Sequence, residues 1–245
     1  MCTGRSPYIC LMSSAGIGQY SAAPSHHLAV DCIIFGVEGD TLKLLLFKRE
    51  IEPLAGEWSL LGSFVKDGES VDDAAHRVLV ELTGIKDIYM EQLHCFGDVG
   101  RDPGGRVVSV GYWSLIKIDQ AHHSFEVDDH VAEWVSIHEV PDLILDHNHM
   151  VELAKRRLRE RARFYPIGIE LVPEEFTLLQ LFGVYQAIYD RPLDERNFRK
   201  KIQKSGLVEQ LAKKDKTTSR KGSFLYKFDW ETYQRLQEEG ADLAF

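Results

Sequence analysis

Residues 61–85, LGSFVKDGESVDDAAHRVLVELTGI, decide how the rest of the chain is read. They spell a helix with both ends marked. Ser70 is an N-cap with Asp73 three residues on, the spacing of a capping box. Gly84 stands where a left-handed glycine closes a helix. Val71, Ala74, Ala75, Val78, Leu79 and Leu82 fall at i, i+3, i+4, i+7, i+8 and i+11, so one face is apolar and needs a core to cover it. Arg77 and Glu81 are one turn apart, the spacing of a surface ion pair worth a few tenths of a kcal/mol.

The helix sits in a chain of 245 residues, 44% hydrophobic and 27% charged, an ordinary soluble composition that allows one large domain or two small ones. Four cysteines show no metal-ligand spacing and suit a reducing, cytoplasmic setting. The net charge of −9 is unevenly spread. Residues 148–165 carry 6 Lys/Arg against 2 Asp/Glu, and residues 191–227 carry 12 against 4, while residues 1–147 carry 10 against 23. An acidic body joined to a compact basic block points to a polyanionic partner. No run has the length of a membrane span.

Residues 1–26 are rich in Ser, Ala and Gly and are expected to be a disordered tail or an over-long start upstream of Met12. Strands are expected at 28–37 and 42–47, joined by the turn Glu38-Gly39-Asp40, then at 88–99, 107–118 and 132–137. An arginine-rich helix fits 149–164. Asp146 or Asn148 is a natural N-cap for it, which is the simpler reading of Asp146-His147-Asn148-His149 than a metal site. Strands around one strongly marked helix give an α+β class. The domain runs over 27–165, and Pro166 to Pro173 is the expected linker.

The last part, 174–245, starts afresh. Thr177-Leu178-Leu179-Gln180 is a capping box for a helix to about Tyr189. Asp194 caps a second helix, which Gly206 closes. Strands at 207–211 and 224–228 then enclose the basic loop 212–223. Helix, turn, helix, strand, basic loop, strand is the outline of a winged helix. On the second helix Phe198 and Ile202 face inward. Arg196, Lys200, Gln203 and Lys204 point away, with Asn197, Arg199 and Lys201 on the flanks. Arg and Asn match guanine and adenine edges in a major groove. Arg196, Asn197, Arg199, Lys200, Lys201 and Lys204, with Lys213, Lys214, Arg220 and Lys221 on the wing, are therefore the candidate contacts to double-stranded DNA.

Residues 61–85 also resemble the Nudix box, G-x5-E-x7-R-E-U-x-E-E-x-G-U with U aliphatic. Glu69, Arg77, Leu79, Glu81, Gly84 and Ile85 match, whereas Ser63, Val78 and Leu82 replace a glycine and two glutamates. Nudix hydrolases hold Mg2+ on carboxylates one helical turn apart. The triplet Val78, Glu81, Leu82 is a poor Mg2+ site, so the resemblance implies the fold without the hydrolase, and neither a metal nor a cofactor. From about His27 onward the chain resembles the Nudix-related transcriptional regulators, in Val30-Asp31-Cys32-Ile33-Ile34-Phe35, in Arg101-Asp102-Pro103 with Val107-Val108-Ser109-Val110, and in Asn197-Phe198-Arg199-Lys200-Lys201. That resemblance implies a Nudix-like mixed sheet flanked by helices, followed by a winged helix-turn-helix domain. It also implies a homodimer on a palindromic operator and a small-molecule effector. The group it looks most like controls sugar use, including arabinose-responsive repressors. Other members sense ADP-ribose or related nucleotides and control NAD synthesis genes, so a regulator of NAD metabolism is an alternative.

For the effector, Glu69, Arg77 and Glu81 are expected on the floor of the cleft. Asp31, in an apolar strand, either meets a ligand hydroxyl or pairs with a basic side chain. Arg101 and Asp102 close on ligand, meet a partner subunit, or form a plain Pro-Gly turn. The rival reading is a Nudix hydrolase of a nucleoside diphosphate derivative such as ADP-ribose, with replacement carboxylates from Glu126, Asp128 and Asp129. A protein- or RNA-binding adaptor is the third.

Overall fold

Largely apolar runs over two long strands organise the first domain. A computed structural model of the chain describes residues 24–49, 52, 54–86, 88–118, 125–127, 130–217 and 221–240, with backbone alone for 125–127 and 130–131. The expected tail through residue 23, Asp128, Asp129, Arg220 and the side chain of Glu126 lie outside that description. β1 (His27–Glu38) and β6 (Val107–Lys117) pair in parallel along their length, from His27 opposite Val107 to Val37 opposite Lys117. The other pairings of the sheet are antiparallel: β2 (Thr41–Lys48) with β1, β5 (Glu91–Phe96) with β6, β8 (His130–Ser136) with β2, and β7 (Phe125–Val127) with β8. The order is β5-β6-β1-β2-β8-β7, with β3 (Trp58–Ser59) on β2 and β4 (Leu61–Phe64) on β1. The expected strand 88–99 is shorter at both ends, starting at Glu91 and stopping at Phe96 ahead of the turn that Arg101 N closes on Asp98 O. The β7 strand is an addition to the expected set.

β1 is buried without interruption from Val30 to Val37, so its alternating side chains enter two apolar layers. Val30, Cys32 and Ile34 pack under α1 (Val71–Thr83), against Ala74, Ala75, Val78 and Leu79. Ile33, Phe35 and Val37 face the other layer, under α2 (His147–Phe164). Both ends of α1 fall where the residues require them. Ser70 Oγ accepts from Asp73 N at 3.1 Å, the Asp73 carboxylate accepts from Ser70 N at 3.3 Å, and Gly84 is left-handed with φ 71°. Helix α2 begins two residues earlier than expected.

The expected linker holds a 3-10 turn, Ile169–Leu171, whose Ile169 and Leu171 are buried. Gly168 lets this turn close on the second domain: an added Cβ would stand 2.7 Å from the Tyr185 ring. The winged helix follows with β9 (Phe176–Thr177), α3 (Leu178–Tyr189), α4 (Glu195–Lys204), β10 (Val208–Asp215), β11 (Ser223–Phe228) and α5 (Trp230–Glu238). Its sheet runs β10-β11-β9. The Thr177/Gln180 capping box and the Asp194 cap form as expected. The wing differs. β10 continues to Asp215 through a register shift between Gln210 and Lys214, so Lys213 and Lys214 stand on a strand rather than in the loop. β9 and α5 are further additions. One apolar cluster runs without a break from Phe35 and Leu44 through Leu158 to Tyr185, Phe198 and Phe228, and so spans both domains.

Candidate effector cleft and DNA-binding face

The first domain buries charge where β1, β4, β6 and the start of α2 converge. Asp31 shares the face of Ile33 but lies opposite Gly62 of β4, and an added Cβ there would collide with its carboxylate. The space that glycine leaves is filled with polar partners, as a buried carboxylate demands. Ser109 Oγ of β6 donates to Asp31 Oδ2 at 2.5 Å. Arg101 Nη2 lies 3.7 Å from the same oxygen, and His147 Nε2 lies 3.5 Å from Oδ1. Arg101 is the hub. Its side chain is 3% exposed, and it donates to Asp146 through Nε at 2.9 Å and Nη2 at 2.6 Å. Asp146 stands at the N-cap position of α2, but its carboxylate makes no cap bond and is spent on Arg101. Burial opposes ionisation of Asp146, and the Arg101 hydrogen bonds still hold its carboxyl below the usual range.

His147 has one tautomer that fits. Leu60 N donates to its Nδ1 at 3.2 Å, so Nδ1 carries no proton and the Nε2 proton faces Asp31. Burial pushes its pKa down, against the pull of Asp31 and Asp146, and the ring is neutral near pH 7. The sequence marks Asp31 and Arg101 but assigns no role to Ser109 or His147, and Asp146 takes the expected N-cap position without making the cap bond. The remaining member of the expected loop, Asp102, accepts from Gly104 N at 2.7 Å and shapes its own turn.

The box residues form a second cluster. Arg77 donates to both Glu69 oxygens, at 2.9 and 2.7 Å, to Phe64 O at 3.1 Å and to Glu81 at 2.9 Å. Hydrogen bonds from Arg77 and from Lys66 N bring the Glu69 carboxyl down to about 2. Arg77 thereby stitches β4 and the following loop to α1, beyond the simple ion pair expected. Lys66 Nζ adds a second cation 3.5 Å from Glu81. Val78 is buried among aliphatic groups and Leu82 is half-buried. One carboxylate answered by two cations and flanked by two hydrocarbons does not fit a Mg2+ ion, which needs several free oxygen ligands.

The basic surface lies on α4 and the wing. Phe198 and Ile202 anchor α4, with the Phe198 ring 5.5 Å from those of Phe182 and Tyr185. Arg196, Lys200 and Lys204 are exposed on the far side. Arg199 pairs with Glu195 at 2.5 Å across one turn. Asn197 and Lys201 line a cleft toward α2 together with Arg159, Arg163 and Arg191. Of the wing residues, Lys213 Nζ meets Glu175 at 2.6 Å, Lys214 Nζ lies 4.3 Å over the Phe224 ring, and Lys221 is exposed. No helix among the described residues is long and apolar enough to cross a membrane.

Two family profiles match successive parts of the chain. Residues 25–161 match the profile of the NUDIX domain, and residues 168–228 that of the NrtR DNA-binding winged helix domain. The chain is similar to the ADPR responsive transcriptional repressor NtrR of Acinetobacter baylyi, 33% identical over 219 residues, 88% of this chain and 87% of that one. It is also similar to Shewanella oneidensis NrtR in its crystal structure with a 27mer DNA, with TM-score 0.68 and 28% identity over 84% of this chain and 95% of that one. The NUDIX domain of the same Shewanella protein, crystallised with ADP ribose, is 29% identical with TM-score 0.51 over 58% of this chain and 98% of that one.

Proposed function

Because the chain belongs to the NUDIX domain family and joins that domain to an NrtR-type winged helix, we propose that it is a DNA-binding transcriptional repressor that answers to ADP-ribose without hydrolysing it. The observation that supports this most is the contrast between its two ends. The box helix keeps Arg77 and Glu69 as struts and carries aliphatic side chains where metal carboxylates would stand, whereas the winged helix presents an exposed basic face. The sugar effector expected from the sequence gains no support from these relatives, one of which responds to ADP-ribose while another was crystallised with it. The buried cluster of Asp31, Arg101, Asp146 and His147 is proposed to brace the effector site from beneath, since the Arg101 side chain is 3% exposed and its guanidinium is already held by Asp146. A homodimer would place two recognition helices on a palindromic operator.

The test is binding of the full chain to a duplex selected by the protein from a random pool. ADP-ribose should raise the melting temperature, as a ligand of the native state alone must. It should also weaken DNA binding by roughly 5- to 150-fold, the range of typical allosteric coupling. Arabinose should do neither. An arabinose response without an ADP-ribose response would restore the sugar reading. Robust ADP-ribose turnover with Mg2+ that disappears in Glu81→Gln would restore the hydrolase.

A further inference from the structure

Resting on the DNA-binding reading above, we propose that the sensor domain itself grips DNA: helix α2 and the α3–α4 turn hold one sugar–phosphate backbone while the wing holds the other. The anchoring of α4 sets the geometry. With Phe198 and Ile202 inward, 100° per residue puts Arg196 and Lys200 outward and leaves two flanks. Arg199 and Gln203 form one flank, which faces the wing sheet, since Gln203 Nε2 donates to Tyr226 OH at 3.0 Å. Asn197 and Lys201 form the other. It opens on a cleft of about 530 Å3 shared with Arg159 and Arg163 of α2, with Tyr189 at the end of α3 and with Arg191 of the turn.

The cleft is net basic, with Arg159, Arg163, Arg191 and Lys201 against the carboxylates of Glu160 and Asp194, and the carboxylates in and beside it have partners. Asp190 meets Arg159 at 3.5 Å and His138 at 2.9 Å, Asp194 caps α4 by accepting from Asn197 N, and Glu160 lies 3.8 Å from Arg157. Arg163 and Arg191 rest on the Phe164 and Tyr189 rings, 5.4 and 5.7 Å from the centroids. Neither they nor Lys201 has a carboxylate partner among the described residues. Guanidinium groups held on aromatic rings and left unpaired are ready for an external anion. A major groove about 12 Å wide is filled by a helix of about 10–12 Å diameter, so both flanks of α4 meet phosphates. Wing lysines serve one flank, and Arg163, Arg191 and Lys201 serve the other. Helix α2 then has a task at each end. Its first residues, His147 and the preceding Asp146, close the polar cluster around Asp31, and its last turns reach DNA about 27 Å away.

The experiment measures anisotropy of the full chain on a labelled random-sequence duplex, and on a duplex the protein selects, between about 50 and 200 mM salt. The variants are Arg163→Ala, Arg191→Ala and Arg163→Lys, with Lys221→Ala as the wing reference. Each alanine should reduce the log–log salt slope by about 0.9 for every phosphate that it leaves without a cation, and should weaken both duplexes alike. Arg163→Lys should keep most of the slope, because a charge remains. Arg163 and Arg191 are exposed, so their melting temperatures should match the wild type. If Lys221→Ala lowers the slope while both arginine variants keep wild-type slope and affinity, the winged helix binds DNA without α2 and the proposal is overturned. If the wild type binds neither duplex, the DNA-binding reading fails first and carries this one with it.

Discussion

At Asp31 a carboxylate interrupts an apolar strand, and the chain answers it with residues far away in sequence. Ser109 is 78 residues on, and the Arg101–Asp146 pair spans 45 residues of chain. That a partner is needed can be read from the strand, but its identity depends on which strands are neighbours. Asp146 shows the limit in the other direction: its local spacing fits a cap, and a buried arginine offers stronger hydrogen bonds. His147 turns the cluster into a pH-dependent element. Its folded pKa is depressed by burial, so below about 6.5 the unfolded chain takes up a proton that the native ring refuses. Stability should be full above that value and fall by up to about 1.4 kcal/mol per pH unit as pH drops toward the folded pKa, then level off. Urea unfolding between pH 8 and 5 (about the range His titrates) should show this fall in the wild type and a flatter profile in His147→Gln. Equal profiles would show that His147 titrates alike in the folded and unfolded chain.

Among the elements, helix ends are the most legible. Ser70, Gly84, Thr177 and Asp194 all do what their spacing requires, because caps are local hydrogen bonds. Strand extents are less so. β10 is largely exposed and lysine-rich, with no apolar alternation to mark it, and is defined by its ladder with β11. α5 does carry a local signal, Asp229 Oδ1 accepting from Thr232 N at 2.9 Å, but the helix is short and its start overlaps an aromatic strand end. The box helix supports a sharper forecast. Returning glutamate to position 78 places a carboxylate among Ala74, Leu79 and Cys32, where nothing pairs it. Val78→Glu should destabilise by about 3–5 kcal/mol, as an uncompensated buried charge does. Leu82→Glu, at a half-buried position, should cost less than about 1.5 kcal/mol. Chemical denaturation of the two variants checks this, and equal losses would mean that Val78 does not pack as described.

Over the whole molecule the two domains are separable in sequence, by the Pro/Gly stretch 166–173 and the change of charge. The continuity of their core is not, because it rests on α3 meeting α2 and on Gly168 meeting Tyr185. Packing between distant segments leaves no periodic mark. A shared core predicts one cooperative thermal transition for the full chain, with near- and far-ultraviolet signals superimposing. Two resolved transitions would show that the domains melt independently. The same continuity constrains how such proteins can be recombined. A seam cut at residue 166 would strand Leu158 and Ala162 on one parent and Tyr185 and Ile188 on the other, so a chimera joined there inherits two half-interfaces that never met. A working transplant of this reader onto another sensor has to preserve both faces of α2, the one on β1 and the one on α3.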